Sequence, residues 1–571
     1  MRPGTLALWL LGWVVLLPLL DLGPIDNLDV FFNQRTGQFI LESGGVPWQD
    51  PFALDPEPRP WIEHKWLFDL LVHALSGGGT VALVAAEVAL ILGVFLVAGL
   101  RLGRRDPYPG LLLLVLLWPA LESRLVLRSH TVGLLLMLGL LLLGERGVPG
   151  RRRDALALLG LVIWTNVHAS FILGLGYLTL LFAVEAYESR KRLYRVFLPL
   201  AATLVGPYGP MVYYPLFSHY QAERFRGEYM AEWQPLAWTA PAMLPIVLAL
   251  GLALLLVLRD RRKLPLPTLG LFFCCVGLLT QSGRFLPETL LTALPLFAEL
   301  GLGLRTRRTL GAVLAAVLTV STLWHGRELL ALDRSTLLRP ARVDLAAAAE
   351  FLEQRRLGGR VFHSFDYGQY LAAICHPEVS IYIDGRIDLY SEARFGRYLE
   401  AVQRFSGLTE LDRLHRFDLL VLQWPGDRRR ERFFLEVRAS GRWVLVYLGE
   451  EVAIFTKQGR FPRVETEDGF TWLLPTAYLH RYDLLPRSQV MAEVERGLRR
   501  GNLGELPAAI LAIYLERDPG ARLRRLRALR PEHQRHQTTL VLLAATLRQL
   551  GEHRAAAEVD SQLEAVGSSP R

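Results

Sequence analysis

Leucine-rich apolar runs, separated by short arginine-rich breaks, follow one another from the N-terminus to about residue 325 of this 571-residue chain. A helix that crosses a bilayer needs about 20 mainly apolar residues, fewer where it lies inside a bundle. This pattern therefore predicts an α-helical polytopic membrane protein with about eleven transmembrane helices. The predicted spans are 5–21, 79–100, 109–121, 128–144, 154–166, 169–187, 196–207, 241–258, 265–281, 285–303 and 309–325.

The basic residues between these runs fall on alternate loops. They form the clusters Arg101/Arg104/Arg105, Arg151/Arg152/Arg153, Arg190/Lys191/Arg192/Arg195, Arg259/Arg261/Arg262/Lys263 and Arg305/Arg307/Arg308. Cytoplasmic loops of membrane proteins carry an excess of lysine and arginine, so this side, with the N-terminus, is predicted to be cytoplasmic. The loops 22–78 and 208–240, and everything after about residue 326, are then predicted to be extracytoplasmic.

The sequence disfavours several other classes of protein. The formal charge of +9 does not favour nucleic-acid binding, because most basic residues sit in the short clusters that set topology. The three cysteines, Cys274, Cys275 and Cys375, match no metal or disulfide spacing. A transporter is disfavoured, because the sequence contains no internal duplication and no paired broken helices.

The composition changes to that of a soluble protein near Arg327. Helical patterns alternate with short β-branched runs from 340 to 457, which predicts an extracytoplasmic α/β domain. Residues 470–571 read as helical, and one stretch after Val541 resembles a tetratricopeptide unit. We therefore predict three parts: a transmembrane domain (1–326), the α/β domain (340–457) and a helical, TPR-like region (470–571). A generic helical cap on the sheet is the alternative for the last part.

Polar residues at the outer ends of the predicted spans are the candidates for function. Acids at the rim of a membrane protein usually face a cavity, an ion or a substrate. The first outer loop carries such residues, whereas its tryptophans are explained as interfacial anchors. The candidates in this loop are Asp29, Arg35, Glu63 and His64; an exposed loop acid is the alternative for Glu63.

Three further groups lie on the same predicted face. Asn166 and His168 occupy a tight turn, where they bind a ligand or cap a helix end. Glu232 lies in the large second loop, whose aromatic residues and arginines suit a sugar phosphate. Arg128 and Arg284 are outer-face arginines beside apolar spans, contrary to the topology rule, which indicates pairing with an anion; snorkelling to lipid headgroups is the alternative.

Ordered motifs in the chain resemble those of bacterial membrane proteins in the C-type glycosyltransferase superfamily, which contains oligosaccharyltransferases, protein mannosyltransferases and aminoarabinose transferases. The motifs are Asp29 to Gly37, Pro47-Trp48-Gln49-Asp50-Pro51-Phe52, His64-Lys65-Trp66-Leu67-Phe68, Trp164 to His168 and Glu232-Trp233-Gln234-Pro235. In the C-terminal part, Asp366-Tyr367-Gly368 and Asp384-Gly385-Arg386 match two further blocks. The alternative for the last of these is a strand-end turn with a local Asp–Arg pair.

The resemblance implies a chemistry and roles for these residues. Members of the superfamily use a sugar donor linked to polyprenyl phosphate and an acid in the first outer loop. Asp29 is implied as the base that deprotonates an acceptor, or as a ligand of a divalent cation (Mg²⁺ or Mn²⁺) with His168. Glu232 is implied as a second catalytic residue. The substrate-binding residues implied are Arg35, Glu63, His64, Asn166, His168, Arg128, Arg284, Asp384 and Arg386.

These expectations give one leading function. The chain is expected to be a glycosyltransferase of the bacterial cytoplasmic membrane, acting at the outer face on a glycan, lipid or protein acceptor. Its expected partners are the lipid-linked donor, that acceptor, membrane lipid and a protein docked on the C-terminal helices, with no nucleic acid. The alternative is a non-catalytic relative that scaffolds or handles lipid-linked sugars.

Overall fold

The structure is a computed structural model, and it describes most of the chain in two compact units. The described residues are 27–102, 114, 121, 124–146, 150–189, 193–221, 233–239, 243–260, 265–298, 309, 343–424, 428–476, 479–516, 518–529 and 536–568. The helical unit comprises residues 1–48 and 60–341, and the α/β unit comprises residues 49–59 and 342–571.

The helical unit is built from apolar helices around a leucine-rich core. Its described helices are α1 (Asp29–Ser43), α2 (Trp66–Ser76), α3 (Gly79–Leu102), α4 (Ser129–Arg146), α5 (Arg151–Thr165), α6 (Phe171–Ser189), α7 (Leu198–Thr203), α8 (Tyr214–Gln221), α9 (Leu244–Asp260), α10 (Leu266–Gln281) and α11 (Leu286–Ala298). Short 3₁₀ turns at Leu193–Phe197, Gly209–Tyr213 and Gly283–Phe285 connect some of them.

Two of the described helices, α3 and α6, are long and apolar enough to cross a membrane. Several shorter apolar helices, among them α4 and α10, coincide with predicted spans. The predicted span at 196–207 overlaps another short apolar helical stretch, Leu193–Thr203, which begins as a 3₁₀ turn and continues as the six-residue α7. The span at 5–21, and nearly all of those at 109–121 and 309–325, lie outside the described residues. The count of about eleven spans thus stays a prediction.

Three arginines of the predicted cytoplasmic clusters are buried and paired with acids. Arg101 contacts Glu145 at 2.7 Å and donates to the carbonyl oxygen of Leu291 at 2.7 Å. Arg153 and Arg195 both bind Glu185 and Asp154. A buried arginine needs such partners, because an unpaired charge is costly to remove from water. These side chains therefore also hold the helical unit together.

The α/β unit has a five-stranded mixed sheet with helices around it. Its elements are α12 (Val343–Gln354), β1 (Gly359–His363), α13 (Gly368–Cys375), β2 (Val379–Ile381), α14 (Glu392–Gln403), α15 (Phe405–His415), β3 (Leu419–Gln423), α16 (Arg428–Ala439), β4 (Trp443–Leu448), β5 (Val452–Lys457), α17 (Pro462–Glu467), α18 (Arg487–Arg500), α19 (Glu505–Tyr514), α20 (Pro519–Arg527), α21 (Gln537–Gln549) and α22 (His553–Ser568). The strand order is β2-β1-β3-β5-β4.

Helical crossovers account for the parallel part of this sheet. Strand β1 pairs in parallel with β2 and β3, while β5 runs antiparallel to β3 and β4. A parallel pair needs a long connection, which α13 supplies between β1 and β2, whereas a short turn suffices between β4 and β5. The central strand β3 reads Leu-Leu-Val-Leu and is buried over those four residues, as expected for a strand covered on both faces.

Residues 49–59, from the predicted first outer loop, belong to the α/β unit. Phe52 and Leu54 exchange backbone hydrogen bonds with Ile381, so this segment extends the sheet beyond its edge strand β2. Arg394 donates to the carbonyl oxygens of Leu54 and Asp55. Exposed strand edges invite unwanted pairing, and this segment covers the edge of β2.

The last helices of the α/β unit follow one another with short connections. Helices α21 and α22 are joined through Gly551, whose φ is +80°, and they share a small apolar cluster with Leu523 of α20. A helical hairpin of this kind agrees with the helical region predicted from 470 onward. The TPR-like assignment and the three-part division of the chain remain predictions.

Candidate functional site

Helices α1 and α2 pack closely because Gly37 has no side chain. A β-carbon at Gly37 would lie 2.3 Å from the carbonyl oxygen of Asp69 and 2.8 Å from the β-carbon of His73. Small residues allow helix backbones to approach in this way. The close packing places polar side chains of the first turns of α1 beside the residues that begin α2, and these form the candidate site.

Asp29 begins α1 and is paired with an arginine from the start of α4. Its Oδ2 lies 3.3 Å from Nη2 of Arg128, and the two side chains are 38% and 36% exposed. Arg128 Nη2 also donates to Oδ1 of Asn27 at 3.3 Å. The helix dipole favours an acid in the first turn, and both side chains are in part exposed to solvent. The structure thus brings together Asp29 and Arg128, two of the predicted site residues.

A second polar group lies directly behind this pair, centred on Lys65. Its Nζ donates to Oδ1 of Asn33 and, at 3.3 Å, to Oδ1 of Asp69. Glu63 Oε1 is 3.7 Å from the same nitrogen. Glu63 is 2% exposed and Asp69 is fully buried, so the ammonium group of Lys65 is the counter-charge of two buried acids.

Burial governs the protonation of this group, which lies outside the predicted spans. Desolvation raises the pKa of the Asp69 carboxyl well above its usual range, although Lys65 opposes the shift. The pKa of Lys65 is raised as well: burial lowers it, but Asp69, Glu63 and Asp29 together outweigh that effect. Lys65 is therefore firmly protonated, and Asp29 is one of the acids that raise its pKa.

Sequence reasoning did not select Lys65, Asp69 or Asn33 as site residues. Lys65 and Asp69 are four residues apart, which is the spacing of a helical ion pair. That spacing could have indicated from the sequence that Lys65 and Asp69 form a pair. Asn33 is one helical turn beyond Asp29 in α1, so the same face of α1 carries both residues.

Three histidines and a buried glutamate lie in a row in the helical unit. The ring of His168 is 6.3 Å from that of His64 and 5.3 Å from that of His130. His130 Nε2 lies 2.7 Å from Oε1 of Glu288, which is 2% exposed. The predicted residues His64 and His168 are thus brought together, whereas His130 and Glu288 were not predicted.

The tautomer of His168 follows from its neighbours. The backbone N–H of Ser170 donates to Nδ1 of His168 at 3.1 Å, and the Ser170 hydroxyl lies 2.7 Å from the same nitrogen. Because Nδ1 accepts a hydrogen bond, the proton of the neutral ring is on Nε2. His168 therefore presents an N–H donor, rather than a lone pair, on its other nitrogen.

Asn166 has a clear structural role. Its side-chain oxygen accepts from the indole nitrogen of Trp66 at 2.8 Å, and its nitrogen donates to the carbonyl oxygens of Val162 and Val205, each at 2.8 Å. The amide therefore ties the end of α5 to two other segments, which agrees with the helix-end alternative. A role in substrate binding stays a prediction.

The remaining predicted arginines of the helical unit are paired with other groups. Arg284 lies over the indole ring of Trp233, 4.6 Å from its centroid, and Arg35 contacts Glu42 at 3.6 Å. Their predicted role in substrate binding stays a prediction. Glu232 lies outside the described residues, so its predicted catalytic role stays a prediction.

Asp384 and Arg386 belong to the α/β unit and are buried. Asp384 is fully buried and accepts hydrogen bonds from the backbone and side chain of Arg386, the shortest at 2.6 Å. Arg386 also contacts Asp50 at 2.9 Å. The contact agrees with the alternative of a local Asp–Arg pair, and a role of Asp384 and Arg386 in substrate binding stays a prediction.

The side chains do not assemble a metal centre in the described part of the chain. No group of three or more His, Cys, Asp or Glu residues there could hold a metal ion. Asp29 is engaged with Arg128, and His168 offers an N–H donor as described above, so this donor set does not fit a cation. We therefore assign no step to a metal ion.

Comparisons with known proteins give a distant structural likeness. No protein-family model and no curated protein matches the chain. Two solved structures from Archaeoglobus fulgidus are similar over 73% and 74% of this chain, and over 69% of each of theirs, at 11% identity. They are the archaeal oligosaccharyltransferase AglB with an inhibitory peptide and a dolichol-phosphate (TM-score 0.45) and an oligosaccharyltransferase in the apo form (TM-score 0.46). The likeness of this chain to the two oligosaccharyltransferases is therefore distant.

Proposed function

We propose that this protein is a membrane glycosyltransferase that moves a sugar from a polyprenyl-phosphate carrier to an acceptor hydroxyl or amide. The pairing of Asp29 with Arg128 is the observation that carries the proposal. A carboxylate and a guanidinium, each more than a third exposed and 3.3 Å apart, offer a base and a phosphate ligand side by side. Packing does not require either group at that position, because neither is buried.

The proposed reaction is a single displacement at the anomeric carbon of the donor sugar. Asp29 accepts the proton of the acceptor O–H or N–H while the acceptor atom forms a bond to that carbon. The bond between the anomeric carbon and the phosphate oxygen breaks, and the lipid phosphate leaves with the electron pair. Arg128 stabilises the charge that develops on the phosphate, since guanidinium groups bind phosphate oxygens in a bidentate manner. The configuration at the anomeric carbon is inverted.

The Lys65 group supports this role of Asp29. Lys65 is protonated and contributes positive potential near Asp29, but it is already engaged by Asn33, Asp69 and Glu63. It therefore acts as a positioning residue that holds the first turn of α1, rather than as a ligand of the donor.

The rest of the assignment follows from the sequence. The basic clusters and the ordered motifs support placement in the bacterial cytoplasmic membrane, with the Asp29 site at the outer face. A polyprenyl-phosphate donor, and a glycan, lipid or protein acceptor, are proposed on the same motifs.

The test uses the full-length protein in liposomes with a panel of radiolabelled polyprenyl-phosphate sugars and a cell-envelope extract as acceptor. We expect release of free polyprenyl phosphate that depends on the protein. Replacing Asp29 with Asn should lower the rate by about 10²–10⁴, the usual contribution of a general base, without lowering the thermal unfolding midpoint. Glu188→Gln, an exposed acid at the end of α6, is the control and should leave the rate unchanged.

Two outcomes would overturn the proposal. If Asp29→Asn transfers sugar as fast as the wild type, Asp29 is not the general base. A wild-type protein that binds the lipid-linked sugars but never consumes them would favour the alternative, a scaffold that handles such lipids without catalysis.

A further inference from the structure

The α/β unit contains an apolar cavity of about 250 Å³ that is unrelated to the Asp29 site. It lies between helix α16, strands β4 and β5, and the segment 470–475. Aromatic rings form much of the wall: Phe434, Trp443, Phe455 and Phe470. The cavity is partly open to solvent, which gives a small molecule access to it.

The walls are fixed by hydrogen bonds. Glu493 of α18 accepts from the backbone N–H groups of Thr471, Trp472 and Leu473 at 2.6–3.0 Å. The hydroxyl of Tyr482 exchanges hydrogen bonds with the backbone of Leu474. On the opposite wall, Phe434 stacks on Phe455 with ring centroids 6.1 Å apart and planes 15° apart. The cavity is thus built into the fold before a ligand arrives.

One arginine gives the cavity a polar side. Arg438 follows Phe434 by four residues on α16, so both lie on the same face of that helix, and both line the cavity. Within the described residues, the one hydrogen bond of Arg438 is donated by Nη2 to the carbonyl oxygen of Thr471. An arginine has five N–H donors, so Nε and Nη1 of Arg438 keep donors for a ligand.

We propose that this cavity binds a small hydrophobic carboxylate, whose apolar body enters the aromatic walls and whose carboxylate meets Arg438. The volume lies just below the 300–1,000 Å³ typical of pockets for drug-sized ligands, which suits one ring with a short chain. A second arginine, Arg496, lies over the ring of the lining residue Phe470, 5.7 Å from its centroid, and 3.8 Å from Glu493. The acid beside them, Glu493, is occupied by its three backbone donors.

The experiment uses the full-length protein in lipid nanodiscs, with 3-phenylpropionate as the probe and 3-phenylpropanamide as its neutral match. Binding is followed by calorimetry, with protein-free nanodiscs as the blank. We expect saturable binding of the carboxylate, with a Kd on the order of millimolar for so small a molecule. Arg438→Gln should weaken the carboxylate roughly tenfold, because a hydrogen bond to a charged group is lost, and should leave the amide unchanged.

Two further variants make the test specific. Leu474→Trp, which places a bulky ring at the cavity wall, should abolish binding of both probes. Arg432→Gln is the matched control, since Arg432 is on the same helix but its side chain is 82% exposed; it should not alter binding. The proposal is overturned if the wild type does not bind the carboxylate, if Arg432→Gln weakens it as much as Arg438→Gln, or if Leu474→Trp still binds.

Discussion

Arg386 lies 2.9 Å from Asp50 and 2.6 Å from Asp384 inside the α/β unit. Asp50 comes from the segment 49–59, whereas Asp384 and Arg386 lie in the loop that follows β2. Burial raises the pKa of Asp50, because the favourable effect of Arg386 does not fully offset desolvation and the repulsion of Asp384. The arginine therefore holds two acids that would otherwise repel each other in a buried place.

We expect Arg386→Met to destabilise the α/β unit by about 3–5 kcal/mol, the usual cost of removing one partner from a buried ion pair. Urea-dependent pulse proteolysis of the full-length protein measures this loss. Arg432→Gln is the control, because exposed helical pairs contribute about 0.3–0.5 kcal/mol. Equal urea midpoints for the two variants would show that the buried cluster does not stabilise the unit.

Much of the α/β unit could be predicted from local sequence. The five strands coincide to within about two residues with the β-branched and apolar runs at 361–363, 380–383, 418–422, 443–447 and 452–455. This agreement arises because each strand is short and buried and is flanked by turn residues. The membership of residues 49–59 could not be predicted. The bonds that fix it, such as those between Leu54 and Ile381, join residues far apart in sequence and leave no local pattern.

Only some residues of the candidate site could be predicted from the sequence. Asp29 and Arg128 stand out because charges beside apolar spans are rare. Buried partners such as Asn33 and Glu288 do not, since an amide or an acid in a helix is more often on a solvated face. Arg101, Arg153 and Arg195 are predicted to lie on the cytoplasmic side, but the sequence did not indicate that each of them binds buried or half-buried acids.

A methyl group at Gly37 should separate α1 from α2. The β-carbon of Gly37→Ala would stand 2.3 Å from a backbone oxygen of Asp69, and overpacking of this kind costs about 1–3 kcal/mol. We expect a lower thermal midpoint and slower sugar transfer, since Asp29 and Lys65 lie at this helix contact. Gly45→Ala is the control, because a β-carbon there meets no atom within 4 Å. A Gly37→Ala protein as stable and active as the control would contradict the close packing.

Acidification should destabilise the α/β unit through His363. This side chain is fully buried, its Nδ1 donates to the carbonyl oxygen of Ser364, and burial lowers its pKa from 6.5 to about 4. Above pH 6.5 neither the folded nor the unfolded state binds the proton. As the pH falls from 6.5 to 4, only the unfolded state does, so stability is lost by up to about 3 kcal/mol.

The His363 effect must be separated from that of Asp344, whose pKa burial raises to about 6. An acid with a raised pKa stabilises the fold as the pH falls, which is the opposite sign. We therefore compare the wild type with His363→Asn, whose amide can still donate to Ser364. The difference in unfolding free energy between the wild type and His363→Asn should shrink by up to about 3 kcal/mol from pH 7 to pH 4. A difference that does not vary with pH would exclude a buried neutral His363.

Lys65 should be essential to the stability of the helix contact that carries Asp29. Lys65→Met leaves Asp69 and Glu63 buried without a counter-charge, and we expect a loss of about 3–5 kcal/mol, measured as a lower thermal midpoint in detergent. Because an amide needs no counter-charge, adding Asp69→Asn should recover part of that loss, whereas Asp69→Asn alone should cost less than Lys65→Met. If the two substitutions are instead additive, Lys65 and Asp69 do not interact, and the support that the Lys65 group gives to α1 must come from Asn33 alone.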